Sequence, residues 1–149
     1  MNTDRPYLSY MGPSDAARPQ PGRIADEEAD RLENAVLTAY LAHLEAEGHH
    51  VVRHRVVTDP ELASTDLFDA TTDELVMACH RTHYRALIAA YGVISDCARL
   101  FPRPRRALLL TTAPSKAVKD FLSYHQIIAI WLENGAFVRA ESAPKGSEP

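Results

Sequence analysis

The chain is poor in the residues that mark several large classes of protein function. Its 149 residues include only two cysteines and six glycines. Neither a Cys-x-x-Cys nor a His-Glu-x-x-His spacing occurs, and no glycine-rich loop of the kind that cradles phosphate is present. No apolar run reaches the roughly 18 residues that a membrane helix needs. We therefore expect no bound metal, no cofactor and no association with a membrane.

An excess of basic residues is also missing. Lysine and arginine together number 16 against 20 acidic residues, which gives a net charge of −4 at pH 7. General nucleic-acid binders are usually strongly basic, so the sequence argues against that class, although a local basic patch is compatible with it. With few cysteines and no pattern typical of a signal peptide, we expect a cytoplasmic location.

The chain divides into one folded domain and two tails. Residues 1–23 contain four prolines and no apolar periodicity, which is typical of a flexible tail or of an arm that docks on a partner. Residues 24–140 have the periodic patterns of a folded domain. Residues 141–149 are expected to form a flexible C-terminal tail. The length is that of a single domain.

Helical and strand patterns alternate within the domain. The predicted elements in chain order are a helix over Ala25–Glu47, strands over His49–Val57, Thr65–Asp69 and Leu75–Cys79, a helix over His80–Leu100, a strand over Ala107–Thr111, a helix capped by Ser115 that ends at Tyr124, a strand over Ile127–Leu132, and a short final strand after a hairpin at Asn134-Gly135. The face of the second helix that is predicted to pack on the sheet consists of Tyr84, Leu87, Ile88, Tyr91, Ile94, Ser95 and Ala98. This order predicts an α/β fold in which helices sandwich a mixed β-sheet.

The two strands on either side of Thr71-Thr72-Asp73 hold the most informative residues. Successive side chains of a strand point to opposite faces, so Met77 and Cys79 share one face of the second strand. Asp66 is the only acidic residue among the apolar positions at the start of the first strand. If the two strands pair, Asp66, Met77 and Cys79 are expected to meet.

This arrangement resembles the PD-(D/E)xK nuclease superfamily, and in particular the nuclease-like domains of actinobacterial restriction proteins. In that family a strand with Thr-Asp-Leu-aromatic-Asp leads into Leu-Ile-Glu-Ala-Lys, and a later helix contains Gly-Gln-x-x-Asp-Tyr. The resemblance implies a restriction-endonuclease-like αβββαβαβ core over roughly residues 25–140. The positions that correspond to the motif are Glu33 in the first helix, Asp66, Met77 in place of Glu, Cys79 in place of Lys, Val93 in place of Gln and Cys97 in place of Tyr.

The substitutions remove the chemistry that the family uses. Mg²⁺ requires oxygen ligands, which the thioether of Met77 does not supply. Cys79 lacks the charge of the lysine, because an ordinary thiol is neutral at pH 7. Asp66 remains, with Glu33 and Asp69 as acids that could assist it. The resemblance therefore implies a catalytically degenerate domain without metal-dependent nuclease activity. Met77, Cys79 and Val93 further predict a cleft that has become more apolar, which is either a pocket for an organic molecule or a cavity filled by side chains.

Two further groups of residues suggest other chemistry. Cys79 precedes a predicted helix and could be a nucleophile with His80 or His83 as its base; the alternative is a small buried apolar residue. The dense basic cluster could contact phosphate or a protein partner, and the alternative is a solvated loop. The members of this cluster are Arg99, Arg103, Arg105 and Arg106.

The sequence therefore favours a non-nuclease binding protein. We expect it to be a partner subunit of a heteromeric complex, with a related subunit as one candidate partner. An enzyme of specialised metabolism that reuses the old cleft for a small molecule would be an example. The alternatives are a DNA-binding accessory protein of a restriction or defence system, and an enzyme that uses Asp66 with Cys79 or a histidine.

Overall fold

A computed structural model describes residues 23–52 and 66–142, which form a mixed α/β structure. Within these ranges the helices are α1 (Arg23–Ala46), α2 (Tyr84–Ala98) and α3 (Lys116–Tyr124), and the strands are β1 (Val51–Val52), β2 (Leu67–Asp69), β3 (Glu74–Cys79), β4 (Arg105–Leu110), β5 (Ile127–Glu133) and β6 (Ala136–Ala140). Both predicted tails, apart from residue 23 and residues 141–142, and most of the predicted strand over His49–Val57 lie outside the described residues.

The described strands form a single six-stranded sheet in the order of the chain. β1, β2 and β3 are antiparallel neighbours, β3, β4 and β5 run parallel, and β6 returns antiparallel to β5. The parallel strands are joined through α2 and α3, because a parallel connection must cross back along the sheet. At the last hairpin Asn134 and Gly135 have φ angles of 51° and 79°, as a two-residue turn of this kind requires. The hairpin prediction is therefore confirmed.

Helices cover both faces of the sheet. α1 packs on one face, where Tyr40 and Leu44 contact a core that includes Leu109 and Ile130. We call this side the α1 face. α2 and α3 pack on the other face, which we call the α2–α3 face. Because β4 and β5 are covered on both sides, they consist largely of consecutive buried apolar residues.

α2 is shorter than predicted, and only part of its predicted face, including Leu87 and Ile94, packs on the sheet. It begins at Tyr84 because the Nδ1 atom of His83 accepts a hydrogen bond from the amide of Ala86, which caps the helix. Its side chains that are buried against the sheet are Leu87, Ala90, Ile94 and Cys97. Tyr84 and Ile88 are 71% and 42% exposed, so the prediction that they pack on the sheet is wrong. Within the described part of the chain, no helix is both long and apolar enough to cross a lipid bilayer.

Candidate functional site

Asp66 lies immediately before β2, where the pairing with β3 becomes irregular. Leu67 is the register partner of Val76, yet the amide of Asp66 also donates to the carbonyl oxygen of Val76 at 3.2 Å. Two residues therefore stand opposite one, as in a β-bulge, which redirects the extra side chain. The carboxylate of Asp66 accepts a hydrogen bond from the amide of Ala78 at 2.7 Å.

Glu33 approaches the same place from α1. Its Oε2 atom accepts a hydrogen bond from the amide of His80 at 2.7 Å, directly after the end of β3. Partial burial raises the pKa of Glu33, and the negative charges of Asp30 and Asp66 act in the same direction, while the bond from His80 opposes them. Glu33 and Asp66 thus lie close together at the carboxyl end of β3.

A pocket of about 310 Å³ opens beside the two carboxylates. Its lining residues are Asp30, Glu33, Asn34, Leu37, Asp66 and Ala78. This lining is polar, with three acids among its six residues, so it differs from the more apolar cleft that Met77, Cys79 and Val93 predicted. Among the described residues, no group of three or more His, Cys, Asp or Glu side chains is arranged to hold a metal ion.

The substituted motif positions lie on the opposite side of the sheet. Met77, Cys79, Val93 and Cys97 all belong to the core of the α2–α3 face or pack against it. The prediction that Asp66 would meet Met77 and Cys79 is therefore wrong, although the two strands pair as expected. The bulge at Asp66 explains the difference, since strict alternation would have placed Asp66 on the side of its neighbour Met77.

Cys79 does not have the properties of a nucleophile. Burial raises the pKa of its thiol to about 11, and the charge of Glu33 acts in the same direction. The Sγ atom donates to the carbonyl oxygen of Arg81 at 3.1 Å. The proposed bases are engaged elsewhere, because Nδ1 of His80 lies 2.6 Å from the hydroxyl of Thr111 and His83 caps α2. The reading of Cys79 as a buried apolar residue fits this environment.

The predicted arginine cluster is divided. Arg105 and Arg106 are consecutive residues of β4, so their side chains leave opposite faces of the sheet. Arg105 pairs with Glu74 at 3.1 Å on the α1 face. On the α2–α3 face Arg106 donates to the Ser95 hydroxyl at 2.8 Å and to a backbone carbonyl.

The other two arginines of the predicted cluster lie outside β4. Arg99 forms an ion pair with Asp96, while Arg103 is exposed in the segment before β4, with a φ of 49°. A joint phosphate-binding surface is therefore not formed by these four residues.

A buried ionic network lies at the amino end of β3. It was not predicted from the sequence. Glu74 is 1% exposed, and both of its carboxylate oxygens accept hydrogen bonds from Arg139 of β6. Arg105 and Arg139 also pair with Glu141, which lies at the surface. The hydroxyl of Tyr40 accepts from Arg139 at 3.3 Å, and burial raises the pKa of this tyrosine to about 12. The only sequence signal was a glutamate at the start of an otherwise apolar strand.

Asp69 is the register partner of Glu74, so it lies near the ionic network at the amino end of β3 and not beside Asp66. It is 1% exposed, and its two oxygens contact Nδ1 of His49 at 2.6 Å and the amide of Thr71 at 3.0 Å. Its expected role as a helper of Asp66 is therefore not supported by its position. It anchors the residues that follow α1 to the hairpin between β2 and β3.

The two most exposed large aromatic side chains, Tyr84 of α2 and Tyr124 of α3, are connected by a series of ring contacts. Tyr84 lies 6.4 Å from Phe121 between ring centroids, Phe121 lies 4.7 Å from His125, and His125 lies 5.0 Å from Tyr124. Tyr124 is 81% exposed, and Ile88 is one helical turn from Tyr84. We call these five residues the tyrosine surface. Exposed tyrosines of this kind are typical of protein interfaces.

In comparisons with known proteins, no family model, no curated protein and no solved structure matches the chain.

Proposed function

We propose that the chain is a catalytically degenerate relative of the PD-(D/E)xK nucleases that acts as a binding subunit of a heteromeric complex. The observation that carries this proposal is the order of helices and strands, together with the two acids Glu33 and Asp66 near the carboxyl end of β3. Glu33 and Asp66 are held by backbone amides on the α1 face, whereas the four substituted positions pack on the α2–α3 face. Such an arrangement supplies neither a metal-binding set nor a charged group equivalent to lysine.

The architecture supports the same relationship. A helix, three antiparallel strands, and two helix–strand crossovers follow one another in the chain, and the sheet keeps the strand order of the sequence. This is the order that an αβββαβαβ core requires. Under the proposal, Glu33 and Asp66 are conserved in position from a nuclease cleft, and the 310 Å³ pocket beside them is available to a small molecule.

The tyrosine surface is the best candidate for the protein contact. Tyr84 and Tyr124 present large rings that lose little side-chain entropy on binding, and the rings are linked through Phe121 and His125. A heteromeric partner that covers this surface would bury the largest exposed apolar side chains of the described helices. A related subunit is one candidate for this partner.

The partner proposal is tested by affinity purification from the native host with mass spectrometry. We expect a protein that co-purifies with the wild-type chain to be lost with the double variant Tyr84→Ser, Tyr124→Ser. Leu132→Ser is the matched control, because Leu132 is 43% exposed but lies on β5, outside the tyrosine surface. A partner retained by the tyrosine variant, or lost equally with the control, would contradict this assignment of the surface.

The absence of nuclease activity needs a separate test. We expect no cleavage of plasmid DNA in Mg²⁺ or Mn²⁺, and no binding to duplex DNA at low salt, where electrostatic binding is strongest. Cleavage that disappears in Asp66→Asn would overturn the proposal of a degenerate site. Salt-sensitive DNA binding would favour the alternative of an accessory protein in a restriction or defence system.

A further inference from the structure

A second pocket lies at the opposite end of β3 from Glu33 and Asp66. Its volume is about 330 Å³, close to the lower limit for small-molecule sites. The last turns of α1, Glu47 and His49 just after that helix, the β2–β3 hairpin and β6 all contribute to its walls. It does not depend on the proposed function, because it shares no lining residue with the pocket beside Glu33.

The orientation of the His49 ring in this pocket is fixed by its contact with Asp69. The buried carboxylate of Asp69 is an acceptor, so the 2.6 Å contact assigns the hydrogen to Nδ1 of His49. A second bond, from the amide of Thr71, holds the other oxygen of Asp69. In the neutral ring, Nε2 is then the hydrogen-bond acceptor that remains. A buried acid that fixes the tautomer of a histidine in this way occurs in many functional sites.

The charges in the pocket favour a cation over an anion. Arg105 and Arg139 are the basic residues of the lining other than histidine, and each is already paired with Glu74 and Glu141. Glu47 adds a third carboxylate, whose nearest basic group is the His43 ring at 3.9 Å. Three glutamates therefore face two arginines in the lining, and an incoming anion would have to displace an existing carboxylate.

Aromatic rings form one side of the pocket. The rings of Tyr40 and Phe137 meet edge to face with centroids 5.0 Å apart, and the ring of His43 lies 5.3 Å from Phe137. Phe137 and His43 retain partial exposure, so they offer apolar area to a ligand. Such rings also attract cations through the negative charge of their faces.

We propose that this pocket binds a small organic ammonium ion with a flat apolar body. The ammonium group donates hydrogen bonds to the carboxylate of Glu47 and to Nε2 of His49, and the apolar part lies against Phe137 and His43. Asp69 is a positioning residue, because it holds His49 and does not touch the ligand. The buried network of Glu74 and Arg139 forms the rigid wall behind the site.

The test uses benzylamine as the probe and the full chain as the protein. In a two-dimensional amide NMR titration we expect saturable shifts at Glu47, His49 and Phe137, with a Kd of about 1–10 mM for a ligand of this size. Glu47→Gln should raise the Kd at least fivefold. Glu45→Gln is the matched control, because Glu45 is an exposed acid only two residues from Glu47 but outside the pocket, and it should leave the Kd unchanged.

Two further ligands separate charge recognition from adsorption to aromatic rings. Benzyl alcohol, which replaces the ammonium group by a hydroxyl, should bind several-fold more weakly, and benzoate should cause no saturable shift. Long-range proton–nitrogen spectra should show the hydrogen on Nδ1 of His49 in the neutral ring and a shift of Nε2 when benzylamine binds. The proposal would be overturned if benzoate reproduced the shifts, or if the Kd were unchanged in Glu47→Gln. It would also be overturned if benzylamine showed no saturation up to 50 mM, which is about five times the upper expected Kd.

Discussion

Replacing Glu74 by glutamine tests whether the buried ionic network stabilises the fold. The change keeps the shape of the side chain but removes its charge and one of its two acceptors. Arg139 would lose a bidentate partner, and Arg105 would lose a contact at 3.1 Å. We expect Glu74→Gln to be among the most destabilising single substitutions of a polar residue in this chain.

The size of the effect follows from the burial of the three partners. Breaking a fully buried ion pair by removing one member typically costs about 3–5 kcal/mol. Glu74 is buried, but the side chains of Arg139 and Arg105 are 33% and 46% exposed, so solvent screens the charges that remain. Both arginines also retain Glu141. We therefore expect a loss of about 2–3 kcal/mol, or about 5–10 °C in Tm for a chain of this length.

Urea denaturation followed by circular dichroism measures this loss, with an unchanged m-value as evidence that the two-state comparison holds. Glu141→Gln is the matched control, because Glu141 pairs with the same two arginines but lies at the surface, and it should cost less than about 1 kcal/mol. If Glu74→Gln changed the free energy of unfolding by less than about 0.5 kcal/mol, the network would not contribute as argued.

Three further predictions concern individual side chains. The raised pKa of Glu33 means that its contribution to stability is present below its ordinary pKa and is lost as the pH rises through the raised value. Glu33→Gln should therefore raise Tm at pH 8 but not at pH 4, and a lower Tm at pH 8 would contradict this. In a Cys97→Ala background, Cys79 should react with iodoacetamide at pH 8 about 100-fold more slowly than a model thiol, because a pKa of about 11 leaves little thiolate; equal rates would refute the assignment. The buried hydroxyl of Thr72 has no hydrogen-bond partner among the described residues, so Thr72→Val should be neutral or stabilise the fold by up to about 1 kcal/mol in urea denaturation, whereas a loss above about 1 kcal/mol would show that the hydroxyl is satisfied.

Local patterns were sufficient to predict most of the described secondary structure. Ser115 caps α3 as expected, since its hydroxyl accepts from the amide of Val118, and Asn134-Gly135 forms the predicted turn. These features depend on neighbouring residues, so their signals are contained in short segments of sequence. The face of α2 was harder to predict, because apolar residues occupy more than one side of that helix. Leu87 and Ile94 pack on the sheet as predicted, whereas tertiary packing leaves Tyr84 and Ile88 exposed.

The ionic network could not be predicted because its members come from distant parts of the chain. Glu74 becomes a neighbour of Arg105 only through the parallel pairing of β3 and β4, and of Arg139 only through the return of β6. The predicted strand began at Ala107, which left Arg105 and Arg106 in a loop. Once both residues belong to β4, alternation separates them, and the apparent basic cluster disappears.

The irregular pairing at Asp66 has the largest consequence for function. In a regular hairpin, Asp66 would share a face with Met77, and its carboxylate would enter the apolar core of the α2–α3 face at a high desolvation cost. The bulge instead turns Asp66 toward α1, where it accepts from the amide of Ala78 and lies near Glu33. The acids therefore lie on the other side of the sheet from the side chains at positions 77 and 79. Because the two sets of residues are supported by different helices, the core of the α2–α3 face is free to change in sequence while the acidic pocket keeps its geometry.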